Sequence, residues 1–215
     1  MKDLAIYGAG GLGREVACLI RRINEREHSW NLIGFFDDEV EKGTAVSSTT
    51  VLGGLEELND WCYPVSVVIA IGSPTDIFRL VDKIDNKNVT YPNIIDPDCL
   101  IFDKQSMSLG KGNVIMSKCN FSCQSVIGDF NVFNIGVGVG HDVVIGCYNV
   151  FMPNVNVSGG VVIGNLNMFG VKSSILQYLR VGNNTTIGAH CLMIRNAKSD
   201  SLYFGVPGER QSKLK

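Results

Sequence analysis

No two of the seven cysteines (Cys18, Cys62, Cys99, Cys119, Cys123, Cys147, Cys191) form a C-x-x-C pair, so neither a zinc site nor a thioredoxin-type motif is written in the chain. Most are expected to be small buried thiols, kept reduced. Basic runs are also missing: 19 Lys+Arg stand against 21 Asp+Glu for a formal charge of −2. That balance lacks the positive footprint a phosphate backbone requires and disfavours a nucleic-acid partner. The longest apolar stretches, such as Val65 to Ile71, fall far short of a bilayer span. The opening MKDLAIYGAGG breaks into glycines before a signal-peptide core could form. No membrane insertion and a cytoplasmic location are therefore expected. What remains is a globular composition, 45% hydrophobic and 19% charged over 215 residues, with room for one ordinary domain or two small ones.

The 24 glycines behave differently on the two sides of about residue 100. Before it, Leu4-Ala5-Ile6-Tyr7 is a short buried-strand run ending in Gly8-Ala9-Gly10-Gly11-Leu12-Gly13. A helical stripe follows at Val16, Leu19, Ile20 and Ile23. Strands are expected at Leu32 to Phe36, ending in Asp37-Asp38, and at Val65 to Ile71, ending in Gly72, with helices near Leu55 to Trp61 and Thr75 to Ile84. Apolar strands alternating with helices predict a parallel sheet covered on both faces, a small Rossmann-like domain over residues 1–95. Ligands on such sheets sit beyond the carboxyl ends of the strands, where Gly10, Asp37 and Gly72 fall.

After residue 95 the chain repeats. Every sixth residue from Leu109 to Met193 is apolar, running Leu109, Ile115, Phe121, Ile127, Phe133, Val139, Ile145 and onward through Phe151, Val157, Ile163, Phe169, Ile175, Val181 and Ile187. Gly110, Gly128, Gly146, Gly164 and Gly182 each follow an anchor, 18 residues apart. Six nested in 18 predicts three short strands per coil, each pointing one bulky residue into a triangular prism, with small residues at corners of unusual φ. Five coils at a strand spacing of about 4.8 Å make a prism roughly 24 Å long. A six-residue spacing would walk around a helix, which excludes an amphipathic one, and a β-sandwich would not hold register from 109 to 193. On the prism's outer faces Phe130 and Tyr148 are expected to be wet in a monomer, which favours association.

IYGAGGLGREV, GFFDD, VIAIG, GHDVVIG and GVPG, in that order, resemble the hexapeptide-repeat acyltransferases. More narrowly they resemble the bacterial sugar O- and N-acetyltransferases, of which the nucleotide-sugar N-acetyltransferases and sialic acid O-acetyltransferases are types. The resemblance implies a left-handed parallel β-helix for residues 96–215, including a C-terminal tail. It also implies a homotrimer with active sites between subunits, acetyl-CoA as acyl donor, no metal, and a sugar acceptor in surface-glycan biosynthesis.

His141 is the candidate base for acyl transfer from a thioester. Two residues after the anchor Val139, it belongs on the outer surface or at a corner. Periodicity alone would leave it an idle surface histidine, and it is the resemblance of H-D-x-x-I-G that implies catalysis. Asp142 matches the family's acidic partner, and an anion beside imidazole favours the protonated form that develops as a proton is taken. The resemblance further implies that Gly10, Gly11, Leu12, Asp37, Asp38 and Gly72 hold a nucleotide-linked sugar, and that Val150, Gly159, Val171 and Ala189 line the CoA path. The family often carries Ser and His where this chain has Gly10 and Leu12, which leaves the pyrophosphate to backbone donors. Asp37-Asp38 read alone is equally an exposed turn. His28 and His190 read as solvated.

Other readings stay open on the sequence. An O-acetyltransferase of free sialic acid-like sugars shares the motifs, and a non-catalytic nucleotide-sugar-binding β-helix would need no base. GAGGLG would also suit a dinucleotide oxidoreductase, although the short first half leaves no room for a hydride-acceptor domain.

Overall fold

A computed structural model describes residues 1–211; the end of the expected tail, 212–215, lies outside them. The chain divides into two compact units, Met1–Pro97 and Asp98–Lys215. A small Rossmann-like domain is followed by a left-handed parallel β-helix, as expected from the sequence.

In the first unit β1 (Lys2–Tyr7), α1 (Gly11–Arg26), β2 (Trp30–Phe36), β3 (Ala45–Val46), β4 (Thr49–Gly53), α2 (Leu55–Asn59), β5 (Val65–Ile69), α3 (Pro74–Lys83) and β6 (Val89–Thr90) follow in order. They build a sheet β3-β4-β2-β1-β5-β6. β1 lies between β2 and β5, parallel to both, and Leu4, Ala5 and Ile6 are wholly buried. The α1 stripe covers this sheet with Val16, Leu19 and Ile20. The hairpin β3–β4, tightened by Ser47 at φ 53°, was not expected, because GTAVSSTTV has the polar, small-residue look of a loop.

The second unit is the prism. Its strands pair in parallel with their counterparts 18 residues on: Phe121 with Val139, Ile127 with Ile145, Phe133 with Phe151. Two faces are stacks of five and six such strands. From Ile115 to Met193 every anchor is at most 4% exposed. Phe133, Phe151 and Phe169 stack face on face at 4.8 and 4.6 Å between centroids, so one row of the core is a continuous aromatic column.

The corners correct one expectation. The glycines after the anchors do not have positive φ; left-handed backbone falls two residues later, mostly on ordinary residues such as Lys118 (59°), Asp142 (57°), Tyr148 (60°) and His190 (55°). Most such residues are held by their N–H, which donates to a carbonyl of the preceding coil, as in Tyr148 to Asp129 (2.9 Å) and His190 to Val171 (2.8 Å). Gly128 and Gly146 are needed for space instead: a Cβ would lie 2.7 Å from the carbonyl oxygens of Gly146 and Gly164 in the next coil. Phe130 is a second correction. It is 3% exposed and stacks on Tyr148 at 5.5 Å, so this corner covers its own aromatics.

Four residues after an anchor lies a second inward position. Here Asn113, Asn131, Asn149 and Asn167 form a buried ladder, the amides of the last three each donating to the Oδ1 of the asparagine one coil earlier (3.0–3.1 Å). Thr185 closes it by giving its N–H to Asn167 Oδ1 (2.8 Å).

Candidate active site

In the first unit the carboxyl ends of β1, β2 and β5 open onto a cavity of about 470 Å³ lined by Tyr7, Gly8, Asp37, Asp38, Glu39, Leu55, Ile71, Asp76, Arg79, Leu80 and Lys83. Asp37 is half-buried and Asp38 exposed, and both carboxylates are engaged. Asp37 accepts the Ala9 N–H (2.7 Å) and the Glu39 N–H (2.9 Å); Asp38 accepts the Tyr7 hydroxyl (2.7 Å) and the Leu55 N–H (2.8 Å). Burial first, and then the Asp38 carboxylate, push the Tyr7 phenol well above its ordinary value. The acidic pair thus fastens the glycine loop to the end of β2.

Within that loop the glycines divide by task. A Cβ on Gly8 (φ 108°) would lie 2.6 Å from the Ala70 carbonyl oxygen, and one on Gly13 would collide with the Gly8 carbonyl. Gly10, Gly11 and Gly72 have open space around them and are exposed, and Leu12 is half-buried. Gly10 caps α1 without a side-chain bond, so the first N–H groups of a 16-residue helix have no cap beside them. The sequence missed Arg79 and Lys83. They stand one turn apart on α3, with Asp76 3.5 Å from Arg79, and the i, i+4 spacing of two cations was the available signal.

In the prism, His141 and Asp142 occupy a corner, both about half exposed (53% and 56%). Asp142 is left-handed at φ 57°, and from there its Oδ2 meets His141 Nδ1 at 2.7 Å. A carboxylate on Nδ1 selects the Nδ1–H tautomer of neutral imidazole and leaves Nε2 as the basic nitrogen. One coil on, Gly159 lies under the ring, and Gly160 donates its N–H to the His141 carbonyl (2.8 Å). This corner can take a proton from an incoming nucleophile.

The remaining expected positions do not gather here. Val171 is half-buried and Ala189 exposed, at a different corner, where the His190 N–H bonds the Val171 carbonyl (2.8 Å). Val150 is a correction: it is fully buried beside the anchor Phe151 and presents no surface to a co-substrate. Among the described residues no cluster of three or more His, Cys, Asp or Glu is placed to hold a metal, and no helix is long and apolar enough to cross a membrane.

These geometries can be set beside known proteins. Residues 3–84 match the PglD N-terminal domain. The cavity at the strand ends and the loop tied by Asp37 both lie within the matched residues. A sequence search of curated proteins finds no match. Among solved structures, the acetyltransferase domain of PglB from Neisseria gonorrhoeae superposes with a TM-score of 0.89 at 24% identity, covering 98% of this chain and 100% of that one. PerB from Caulobacter crescentus, solved in complex with CoA and GDP-perosamine, gives 0.87 at 24% identity, with 99% and 98% covered. WeeI from Acinetobacter baumannii gives 0.88 at 24%, with 98% and 100% covered. At these identities the likeness is one of fold, and it extends over both units.

Proposed function

We propose that the protein is an acyl-CoA-dependent acetyltransferase that acylates an amino group, or a hydroxyl, of a nucleotide-linked sugar by direct transfer, in surface-glycan biosynthesis in the cytoplasm. The observation that carries this reading is the His141–Asp142 pair, 2.7 Å apart at an open corner of the prism. The match of residues 3–84 to the PglD N-terminal domain and a fold shared with a structure holding both CoA and GDP-perosamine support the substrate class.

In this reading Nε2 of His141 takes the acceptor's proton as its nitrogen or oxygen attacks the thioester carbonyl, the carbon–sulfur bond breaks, and CoA leaves as the thiol. Asp142 holds the ring and stabilises the imidazolium that forms. Free backbone N–H groups of the coil receive the developing oxyanion. The nucleotide end of the acceptor occupies the cavity at the strand ends. Gly10, Gly11 and Leu12 offer N–H groups at the start of α1, Gly72 leaves room, and Arg79 and Lys83 supply positive charge for a diphosphate. Asp37 and Asp38 order that pocket.

Gly159, Val171 and Ala189 mark the donor's path. Since Gly159 and Val171 lie at different corners of one coil body, a homotrimer that sets one protomer's corner against another's completes the site. Thiol release from acetyl-CoA, measured against a panel of UDP-, GDP- and dTDP-linked amino sugars and free sialic acid, tests the proposal. Turnover with one nucleotide-linked amino sugar is expected, and turnover with free sialic acid alone would move the assignment to O-acetylation. Binding of a nucleotide sugar with no transfer at all, unchanged in His141→Ala, would leave only a binding module.

A further inference from the structure

Gly159 occupies a position where the coil elsewhere accepts side chains. The same register is held by Cys123 two coils earlier, by His141 one coil earlier and by Gln177 one coil later. Its backbone does not require glycine either, for the left-handed residue in that corner is its neighbour Gly160 (φ 67°). What excludes a side chain at 159 is the imidazole. A Cβ there would lie 2.5 Å from Nε2, 2.6 Å from Cε1 and 2.9 Å from Cδ2 of His141. The ring rests on the bare Cα, and in that pose its other edge meets Asp142 Oδ2 at 2.7 Å.

We infer that Gly159 is a positioning residue: the absence of its side chain seats the imidazole so that Nδ1 stays on Asp142 while Nε2 is held over the bare Cα of residue 159. The inference rests on the reading of His141 as the base, but it concerns how the ring is aimed. A methyl group at 159 pushes the ring off its seat and breaks the contact with Asp142. Because the pair is half exposed, water replaces that contact at little cost, so the consequence is loss of aim more than loss of folding.

Three measurements on the full chain test this. Long-range 1H–15N spectra of the imidazoles, with His141 assigned through His141→Asn, report the tautomer without any substrate. The wild type is expected to show the Nδ1–H form, and Gly159→Ala a mixture with the Nε2–H form. In the acetyl-transfer assay Gly159→Ala is expected to lower kcat about 100-fold, the scale of an ångström-sized misplacement, with the KM for the nucleotide sugar within threefold, whereas Gln177→Ala keeps wild-type rates. Melting temperatures of Gly159→Ala in wild-type and His141→Ala backgrounds make a double-mutant cycle. A drop of about 2–4 °C is expected in the first background, and none in the second, where the imidazole that meets residue 159 is gone. An equal drop in both backgrounds, or an unchanged tautomer in Gly159→Ala, overturns the seat. Neither result depends on which acceptor is used, so failure here is separable from failure of the transferase reading.

Discussion

The asparagine ladder allows a stability change to be worked from counted bonds. Asn149→Ala removes four: Nδ2 to Asn131 Oδ1 (3.0 Å) and to the Gly164 carbonyl (3.0 Å), and those that Oδ1 receives from the Asn167 N–H (2.9 Å) and the Asn167 amide (3.0 Å). Asn131 Oδ1 keeps the Asn149 N–H (2.9 Å). Three groups are stranded: the Asn167 N–H, its side-chain amide and the Gly164 carbonyl. Each buried unpaired group costs about 1–3 kcal/mol, and water entering the vacated space recovers part of that. A loss of about 3–5 kcal/mol follows. Thr185→Val, at the end of the ladder, removes only the hydroxyl's bonds to the Lys198 and Asn183 carbonyls (2.8 and 3.1 Å), and its N–H still reaches Asn167. About 1–2 kcal/mol is expected there. Urea unfolding followed by intrinsic fluorescence and by circular dichroism would give both values from midpoints at constant slope. If the two substitutions cost the same, or Asn149→Ala costs under about 1 kcal/mol, the ladder is not what holds that row of the core and the bond count is the wrong currency.

His141→Asn keeps a polar side chain at the corner and is expected to lower kcat by about 10²- to 10⁴-fold with an unchanged melting temperature, read in the thiol-release assay. Gly146→Ala places a methyl 2.7 Å from the Gly164 carbonyl oxygen and is expected to destabilise the prism by about 1–3 kcal/mol, whereas Gly10→Ala, in open space, should melt like the wild type. The Tyr7 phenol is raised above its ordinary value of 10.0 in the folded chain, so the neutral form is favoured by folding. Its contribution is whole below pH 10 and is lost as the pH climbs beyond. A pH series of denaturation midpoints should fall above pH 10 in the wild type and fall less steeply in Tyr7→Phe.

The anchors were legible because a triangular coil returns each face to the core at a fixed interval, and only an apolar residue is stable there, so Ile115 through Met193 announce themselves. The asparagines at the second inward position did not, since Asn ordinarily marks loops, and only the neighbouring coils supply the partners that make its burial possible. Gly128 and Gly146 were legible as special but their reason was not: closeness to the next coil cannot be told from positive φ until the stack is built. Phe130 read as wet because the covering Tyr148 is a neighbour in space, 18 residues away. At the candidate site, His141 followed by Asp142 was readable as adjacency. That the acid turns back onto Nδ1 depends on the left-handed conformation of Asp142, which no local pattern of that residue type specifies. Val150 failed as a donor contact because a residue's position along a strand does not say whether another part of the chain covers it.

The coil also behaves as a counting device. Its rows of like partners, aromatic on aromatic and amide on amide, match only when the offset between coils is 18 residues. Gaining or losing a single residue mid-body would therefore mismatch every pair that spans the change; one residue added between Asn134 and Phe151 sets those two side by side. Growth or shortening by an entire circuit would leave every row matched, and would move the two ends apart by one step of about 4.8 Å. Lineages of this architecture can thus alter their length only in whole steps, and an alignment gap of any other size inside the prism would mark a loop bulging outward from a corner.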